Sequence, residues 1–420
     1  MKSILIEGGR RLTGEVAVEG AKNSALKLMA ASLLAEGLTH LERVPEIRDV
    51  DTMCEVLRGL GASVERSDHS LSLDTTEIVS VEAPYEMVAR MRASFVVLGP
   101  LVGRVGHARV AMPGGCNIGS RKIDMHLKGL SALGVEITQG HGYIDARADR
   151  LKGADVTLDF PSVGATENLL MASVKAEGVT RIENAAREPE IRDLADFLNK
   201  MGARIEGAGT PSITVEGVRS LEPVRHSVIG DRIEAGTYLV AGAMCGGPVR
   251  VTGFSPAHME RVLAKLEEAG AQLDQEPDAV TVKRDCDILP LDVSTLPYPG
   301  FPTDMQPQFV AMLSIADGDS VVTENVFENR FIFADELNRM GADVRIEGHH
   351  ALVRGVERLS AAPVRCPDLR AGAALVLAGL VADGQTRVEH VHHVERGYER
   401  LVEKLAGLGA RVSYASEEED

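Results

Sequence analysis

The sequence has no tryptophan and few other aromatic residues, with six tyrosines and nine phenylalanines among 420 residues. Any core must therefore be built mainly from Leu, Val, Ile, Ala and Met. A membrane-spanning run is also missing, because the longest apolar stretch, 371–382, has twelve residues and a spanning helix needs about twenty. No basic segment followed by a long apolar run is present at the N-terminus, so we expect a cytoplasmic protein without a membrane partner.

The cysteines are too few and too scattered for a disulfide framework or a zinc site, since the five thiols are odd in number and include no C-x-x-C pair. The ATP-binding pattern G-x-x-x-x-G-K-[ST] is absent, which argues against ATP hydrolysis. A net charge of −17 repels polyanions and argues against nucleic acid as a partner. A small anionic ligand stays possible, because a few Arg and Lys residues in one cleft can reverse the field locally.

What the sequence does contain is one unit repeated six times. In each copy an amphipathic helix runs into Gly-Ala or Gly-Val and then an alternating strand. Most copies also carry, about two dozen residues earlier, an Ala/Leu-rich helix that ends at an acidic residue plus Gly, the expected helix C-cap. The motif PEIRD occurs twice, at 45–49 and 189–193, which indicates internal duplication. The marker glycines, separated by 68 to 73 residues, are Gly61, Gly134, Gly202, Gly270, Gly341 and Gly409.

These units predict an α/β (α+β) fold in two domains. Each unit has enough helix and strand to bury helices beneath a small sheet, so three units can close around a shared helical core. The length of 420 residues also favours two domains over one. We expect an N-terminal domain at 20–229 and a C-terminal domain at 230–420 that is completed by the strand region 1–19. A cleft between two domains is a common ligand site.

Two segments of the first domain depart from the repeat and can carry chemistry. Lys22 precedes an apolar helix, and capping of that helix by Asn23 or Ser24 would leave N–H groups beside an ammonium for a phosphate. A plain helix cap with a solvated lysine is the alternative. Cys116 lies at the tip of a Gly-rich loop, 112–121, as either an inert thiol or a proton donor and nucleophile favoured by the loop amides and Arg121.

Asp304 and a group of arginines are the remaining candidates. Asp304 follows two prolines and opens a helix, so it is either an ordinary N-terminal helix residue or a general base. The arginines lie beside repeat junctions and either form surface ion pairs or neutralise a diphosphate and a phosphate-carboxylate substrate. They are Arg92, Arg121, Arg330, Arg370 and Arg396.

Nine stretches, in register with the six repeats, resemble the UDP-N-acetylglucosamine 1-carboxyvinyltransferases of the enolpyruvyl transferase family over essentially the whole chain. The resemblance implies the enolpyruvyl transferase fold, a two-domain inside-out α/β barrel in which each domain has three βαβαββ repeats, with the Cys116 loop as a lid. The stretches are GAKNSAL (20–26), MRASF (91–95), PGGCNIGSRKIDMH (113–126), SVGATEN (162–168), ENAAREPEI (183–191), PTDMQ (302–306), ENVFENRF (324–331), DLRAG (368–372) and ERGYER (395–400).

The resemblance also implies a reaction. The enolpyruvyl group of phosphoenolpyruvate moves to the 3-hydroxyl of UDP-N-acetylglucosamine, through a tetrahedral ketal and with release of phosphate, as the first committed step of peptidoglycan precursor synthesis. No metal or other cofactor is implied, and the oligomeric state stays open, a monomer included. The alternatives are a 3-phosphoshikimate 1-carboxyvinyltransferase, which lacks the PGGC and SVGATEN patterns, and a non-catalytic UDP-sugar-binding regulatory paralogue, which would not need both an acid and a base.

The resemblance assigns roles to individual residues. Cys116 would donate the proton and can form an adduct with phosphoenolpyruvate, while Arg330 and Arg370 would line the cleft. Lys122 stands where the family often has Pro, and Phe160 where some members have Lys. The other catalytic residues implied are Lys22, Asp304 and Arg396. The implied phosphoenolpyruvate site is Lys22, Asn23, Arg121 and Arg396. The implied UDP-N-acetylglucosamine site is Arg92, Arg121, Lys122, Ile123, Asp124, Met125, Ser162, Val163, Gly164, Asp304 and Val326.

Overall fold

The computed structural model describes residues 2–83, 85–112 and 123–415. They divide into two compact units. The N-terminal unit contains the described residues of 20–229, and the C-terminal unit contains 2–19 and 230–415. None of the described helices combines the length and the apolar character needed to cross a bilayer.

The strands are short, mostly three to five residues, and most of them alternate buried with more exposed positions, as expected for sheets with one covered face. In chain order they are β1 (Ser3–Glu7), β2 (Gly14–Ala17), β3 (Leu38–Glu42), β4 (Ser63–Ser67), β5 (Ser70–Asp74), β6 (Glu82–Ala83), β7 (His107–Ala111), β8 (Glu136–Gly140), β9 (Tyr143–Arg147), β10 (Asp155–Thr157), β11 (Val179–Glu183), β12 (Arg204–Glu206), β13 (Ser212–Glu216), β14 (Arg225–Ser227), β15 (Val249–Thr252), β16 (Gln272–Glu276), β17 (Ala279–Lys283), β18 (Val293–Ser294), β19 (Asp319–Thr323), β20 (Asp343–Glu347), β21 (His350–Arg354), β22 (Pro363–Arg365), β23 (Gln385–Glu389) and β24 (Arg411–Ala415).

The helices fall into buried and amphipathic types. In chain order they are α1 (Lys22–Ala31), α2 (Arg48–Leu60), α3 (Tyr85–Arg90), α4 (Leu98–Val105), α5 (Asp124–Ala132), α6 (Val163–Ser173), α7 (Pro189–Lys200), α8 (Arg232–Cys245), α9 (Glu260–Glu268), α10 (Gln306–Leu313), α11 (Ala334–Arg339), α12 (Leu369–Val381) and α13 (Leu401–Gly407). Short 3₁₀ helices cover Ser32–Leu34, Arg92–Val97, Pro256–His258, Thr303–Met305 and Val391–Arg396.

Each repeat forms a four-stranded sheet with one parallel and two antiparallel pairings. In the described part of the chain the N-terminal unit has the sheets β14-β3-β5-β4, β6-β7-β9-β8 and β10-β11-β13-β12. The C-terminal unit has β2-β15-β17-β16, β18-β19-β21-β20 and β22-β23-β1-β24. Strands from distant parts of the sequence close both units, since β14 pairs with β3 and the N-terminal strands β1 and β2 lie in sheets of the C-terminal unit.

Beneath the sheets lie helices that are buried almost all the way round. In the C-terminal unit α8 and α12 show this pattern, and both contact α10. In the N-terminal unit α6 has it and packs on α4. A helix with this pattern belongs in the interior, whereas α2, α7 and α9 are amphipathic and bury one face. Two hydrophobic cores result, one in each unit.

The six marker glycines all adopt the left-handed conformation in which helices commonly end, with φ from 86° to 115°. At Gly61 a side chain is also excluded by space, because an added Cβ would lie 2.8 Å from the backbone nitrogen of Val79. Six sheets and six left-handed glycines thus match the six predicted repeats.

Candidate active site

Lys22 is the first residue of α1. Gly20 allows the entry into the helix, because a Cβ there would lie 1.9 Å from the carbonyl oxygen of Arg43. The prediction that Asn23 or Ser24 caps the helix is wrong: Ala21 is the N-cap, and it makes no side-chain capping bond. The Lys22 Nζ instead lies 2.6 Å from Asp49 Oδ2, with both side chains at most 10% exposed. Lys22 is therefore a buried, paired ammonium at a helix N-terminus and not a solvated surface lysine.

The two PEIRD copies both hold the first turn of α1. Asp49 of the first copy pairs with Lys22, and Asp193 of the second accepts a hydrogen bond from Ser24 Oγ. Asp193 is itself held by His226, whose Nε2 lies 2.8 Å from Asp193 Oδ1. From the sequence, the repeated motif indicates only duplication. The repeat is nevertheless the signal from which the contacts of its two aspartates with α1 could have been predicted.

Asp304 lies in the 3₁₀ turn that leads into α10, after Pro302 in the N-cap position. Its Oδ1 accepts a hydrogen bond of 3.0 Å from Arg330 Nη2, and its Oδ2 accepts one of 3.2 Å from Arg370 Nε. The guanidinium side chains are 2% and 3% exposed, whereas the Asp304 side chain is 27% exposed. The buried arginines therefore fix the carboxylate from one side and leave part of it accessible.

Two guanidinium groups face one carboxylate in this cluster. Arg330 Nε and Arg370 Nη1 are buried and have no hydrogen-bond partner within the described residues. Unused donors on buried cations attract an acceptor of negative charge. The surface ion-pair alternative is wrong for Arg330 and Arg370, since neither lies at the surface.

Ser162, Val163 and Gly164 form the start of α6. Ser162 is its N-cap, and the Ser162 Oγ accepts a 3.3 Å hydrogen bond from Ala165 N. Gly164 faces the His126 ring, so that an added Cβ would lie 3.1 Å from His126 Cε1. Because Gly164 has no Cβ, the imidazole of His126 can approach the start of this helix.

His126 is held as a neutral imidazole. Asn168 Oδ1 accepts a hydrogen bond from Gly99 N, so the Asn168 Nδ2 amide faces His126 Nδ1, 3.0 Å away, as a donor. Burial, reinforced by the charge of Arg92, lowers the pKa of His126 to about 4. The proton of the neutral ring therefore lies on Nε2. The sequence predicts no role for His126 or Asn168, although both lie inside the stretches that resemble the family.

The remaining predicted residues occupy separate units. Arg92 begins a 3₁₀ helix, Asp124 is the first residue of α5 with Ile123 as its N-cap, and Met125 follows in the helix. These belong to the N-terminal unit, as do Lys22 and Asn23, whereas the C-terminal unit contains Asp304, Val326, Arg330, Arg370 and Arg396. Arg396 ends the 3₁₀ helix Val391–Arg396 and is partly buried. Cys116, Arg121 and Lys122 lie outside the described residues, and their roles remain predictions.

The four described cysteines are free thiols; Cys54 and Cys366 are buried and Cys245 is partly buried. Burial raises the pKa of the Cys54 and Cys366 thiols and raises that of Cys245 to about 12. Cys286 is exposed. Because the thiolate is the reactive form, the buried thiols are protected from alkylation.

Comparison with known proteins shows likeness along nearly the whole chain. The family model of EPSP synthase (3-phosphoshikimate 1-carboxyvinyltransferase) matches residues 6–405. UDP-N-acetylglucosamine 1-carboxyvinyltransferase 2 of Carboxydothermus hydrogenoformans is 56% identical over 419 residues, which cover 99% of this chain and 100% of that protein. The UDP-N-acetylglucosamine 1-carboxyvinyltransferase of Mycolicibacterium paratuberculosis is 56% identical over 408 residues, covering 97% and 98%.

Solved structures agree on the fold. The enolpyruvyl transferase NikO of Streptomyces tendae superposes with a TM-score of 0.90 at 28% identity and covers 99% of both chains. An EPSP synthase of Acinetobacter baumannii superposes with a TM-score of 0.76 at 19% identity, covering 99% of this chain and 100% of that one. The predicted fold class is confirmed by these superpositions.

Proposed function

The chain belongs to the EPSP synthase (3-phosphoshikimate 1-carboxyvinyltransferase) family of enolpyruvyl transferases, and within that family we propose that it transfers the enolpyruvyl group of phosphoenolpyruvate to the 3-hydroxyl of UDP-N-acetylglucosamine. Relatives at 56% identity bear the name of that activity, whereas the EPSP synthase superposed above is 19% identical. The structural observation that carries the proposal is the Asp304 carboxylate fixed between two buried guanidinium groups.

Lys22 supports the binding of an anionic substrate in the N-terminal unit. Its ammonium is buried at the start of α1, whose N-cap residue supplies no competing side chain. The helix dipole and a buried ammonium both favour a phosphate or carboxylate group. Asn23 lies one residue further along the same turn, and its carbonyl oxygen accepts a 3.0 Å hydrogen bond from Lys27 Nζ. We assign phosphoenolpyruvate to Lys22 and Asn23, with Arg121 and Arg396.

The UDP-sugar is assigned to the helix starts and arginines named above. Ser162, Val163 and Gly164 begin α6, and Asp124 begins α5, so backbone N–H groups are oriented by two helix N-termini. Arg92, with Arg121 and Lys122, would supply cationic charge for the diphosphate. Val326 and Asp304 are also assigned to the UDP-sugar.

The chemistry starts with protonation of phosphoenolpyruvate at C3, which makes C2 electrophilic. Cys116 donates this proton, and Lys22 with the arginines stabilises the phosphate and carboxylate charges. The 3-hydroxyl oxygen then bonds to C2, and its proton passes to Asp304. The resulting tetrahedral ketal loses phosphate from C2 and a proton from C3, which restores the double bond in the product. No metal or other cofactor enters this sequence.

Asp304 suits the role of base because its two arginines orient the carboxylate through charge-assisted hydrogen bonds. It would accept the proton of a hydroxyl that becomes acidic as its oxygen bonds to C2. We propose that this reaction occurs in the cytoplasm as the first committed step of peptidoglycan precursor synthesis, with a product that serves cell-wall growth and division.

A phosphate-release assay tests the proposal directly. The protein is mixed with phosphoenolpyruvate and either UDP-N-acetylglucosamine or shikimate 3-phosphate, and inorganic phosphate is measured. We expect release only with the UDP-sugar. Release only with shikimate 3-phosphate would assign the chain to the sister activity. Binding of the UDP-sugar with no release would indicate the non-catalytic paralogue.

Cys116 is tested by substitution and by labelling. Cys116→Ala should lose most turnover or product release while still binding UDP-N-acetylglucosamine, and wild-type turnover in this variant would remove the thiol from the mechanism. An epoxide that resembles phosphoenolpyruvate should alkylate Cys116 and spare the other thiols. Cys286 is the internal control, because it is exposed but lies in no matched motif.

A further inference from the structure

Glu324 is a buried carboxylate to which the sequence analysis assigned no role. It follows β19 and is 3% exposed. Its Oε1 accepts hydrogen bonds from Thr295 Oγ1 at 2.8 Å, from Val326 N at 2.8 Å and from Phe327 N at 3.1 Å. Its Oε2 accepts one of 2.9 Å from Thr303 Oγ1. Four donors from three segments of the chain therefore meet on one side chain.

Two of those segments carry residues assigned to the site. Thr303 immediately precedes Asp304 in the 3₁₀ turn, and Val326 is the proposed sugar contact. The third segment is anchored to the second, because Thr295 Oγ1 also accepts a 2.9 Å hydrogen bond from Asn325 N. Glu324 thus links the segment of the proposed base to the segment of the proposed sugar contact.

The path of the chain at this point differs from that of the other repeats. The equivalent strands β3, β11, β15 and β23 are each followed by a residue with positive φ. At Glu324, after β19, φ is not positive, and the same is true at Met112 after β7. Both exceptions lead directly into segments that the sequence assigned to the site. Two repeats therefore lack the positive φ after this strand. In the other four repeats the residues with positive φ are Arg43, Asn184, Gly253 and His390.

We propose that Glu324 is the positioning residue of the C-terminal half of the site, fixing Asp304 relative to the loop that carries Val326. This rests on the proposed function. The Arg330 and Arg370 hydrogen bonds orient the carboxylate of Asp304, while the Glu324–Thr303 hydrogen bond fixes the backbone turn from which Asp304 projects. Removing a side chain that accepts four hydrogen bonds in a buried place takes the acceptor from four donors, which is costly there.

The geometry predicts a distinction between two substitutions. In Glu324→Gln the amide oxygen can accept the three hydrogen bonds now made to Oε1, and the amide nitrogen can donate to Thr303 Oγ1. In Glu324→Ala all four are lost. We expect Glu324→Ala to lower kcat/KM for UDP-N-acetylglucosamine by about 100-fold, because small displacements of catalytic groups have effects of that size, and Glu324→Gln to stay within about threefold of wild type.

Two hydroxyl substitutions divide the effect between the segments. Thr303→Val removes only the link to the Asp304 turn, so we expect a fall in kcat with little change in the dissociation constant of the UDP-sugar. Thr295→Val loosens the 325–327 loop, so we expect weaker UDP-sugar binding with a smaller fall in kcat. A general loss of stability would not affect kcat in one variant and UDP-sugar binding in the other. The two threonine variants also keep the proposal testable if Glu324→Ala fails to fold.

The matched control is Glu183→Ala. Glu183 is the last residue of β11 and likewise accepts a hydroxyl hydrogen bond, from Ser212 Oγ at 2.7 Å, but it is exposed. It should leave kcat and KM unchanged. Equal losses in Glu324→Gln and Glu324→Ala, or wild-type kinetics in Thr303→Val and Thr295→Val, would overturn the proposal. If the wild type releases no phosphate from these substrates, the proposed function fails instead, which separates the two outcomes.

Discussion

The helices α1 and α12 both begin with a buried cation in their first turn, but the two helix starts are built differently. α1 begins with Lys22 after Ala21, which supplies no capping side chain. α12 begins after Asp368, whose carboxylate accepts hydrogen bonds from Arg370 N at 2.8 Å and Ala371 N at 3.1 Å. An acidic cap occupies the donors of a helix start and repels a second anion, so only α1 presents a start suited to phosphate.

The partners of the two cations differ as well. Lys22 forms an ion pair with Asp49, whereas Arg370 and Arg330 both contact Asp304. One carboxylate in the C-terminal unit is therefore held by two guanidinium groups. Under the proposed function, this difference means that the N-terminal unit would bind an anion through the helix start, while the C-terminal unit would do so through side chains and would keep a carboxylate for chemistry.

The largest effect is expected at Asp304. Asp304→Asn removes the proposed base and places an amide N–H group among guanidinium donors, so single-turnover phosphate release should slow by about 1000-fold. Binding of UDP-N-acetylglucosamine, measured by calorimetry, should change far less. Turnover within tenfold of wild type would mean that Asp304 pairs with the arginines but is not the base. The contrast between the two cations would then no longer include a carboxylate kept for chemistry.

The next effect is expected at Lys22. Lys22→Met removes a charged donor and should weaken phosphoenolpyruvate binding by at least about tenfold. It also leaves Asp49 buried without its ammonium partner, which should lower the free energy of unfolding by about 3 kcal/mol. Urea denaturation and equilibrium binding measure the two losses separately.

The double variant Lys22→Met/Asp49→Asn separates binding from folding. The neutral amide no longer needs the ammonium, so most of the stability should return while phosphoenolpyruvate binding stays weak. If binding returned together with stability, Lys22 would be only a structural partner of Asp49, and α1 would resemble α12 in having no anion site.

The sequence predicted the parts of this architecture that depend on local chemistry. Left-handed glycines after helices and alternating strands are properties of short segments, so the repeats could be counted from the sequence. The cap of α1 could not be predicted in this way. Asn23 and Ser24 have the chemistry of a capping residue, but the Ser24 hydroxyl donates a hydrogen bond to Asp193, which is distant in sequence. The roles of Glu324 and His126 could not be predicted for the same reason, because their hydrogen bonds join segments that only the fold brings together.

A further comparison concerns one buried ion pair in each unit. Lys27 Nζ lies 3.2 Å from Glu167 Oε1 in the N-terminal unit, and Lys404 Nζ lies 2.8 Å from Glu234 Oε1 in the C-terminal unit. Burial raises the pKa of each carboxyl from 4.5 to about 7. At pH values between 4.5 and about 7, each carboxyl is therefore protonated to a greater extent in the folded state than in the unfolded chain. The stability that each carboxyl contributes is complete below pH 4.5 and is lost as the pH rises through 7.

Glu167→Gln and Glu234→Gln should each flatten this dependence, because the amide does not titrate. Relative to either variant, the wild type should lose at most roughly 3 kcal/mol of unfolding free energy between pH 5 and pH 8. Urea denaturation at the two pH values measures the difference. If the wild type loses a similar amount relative to each variant, burial acts equally in the two units. A wild type that gained stability relative to both variants between pH 5 and pH 8 would contradict the raised pKa values.

The smallest effect is expected where an ion pair is exposed. Arg150 Nη1 lies 3.4 Å from Glu177 Oε1, but the two side chains are 75% and 64% exposed. Water screens such a pair and the flexible side chains lose entropy in forming it, so Arg150→Ala should change the free energy of unfolding by less than about 0.5 kcal/mol. Urea denaturation beside Lys22→Met gives the contrast. A loss comparable to that of Lys22→Met would mean that pairing alone stabilises the N-terminal unit, and the argument from burial at Lys22 and Asp49 would fail with it.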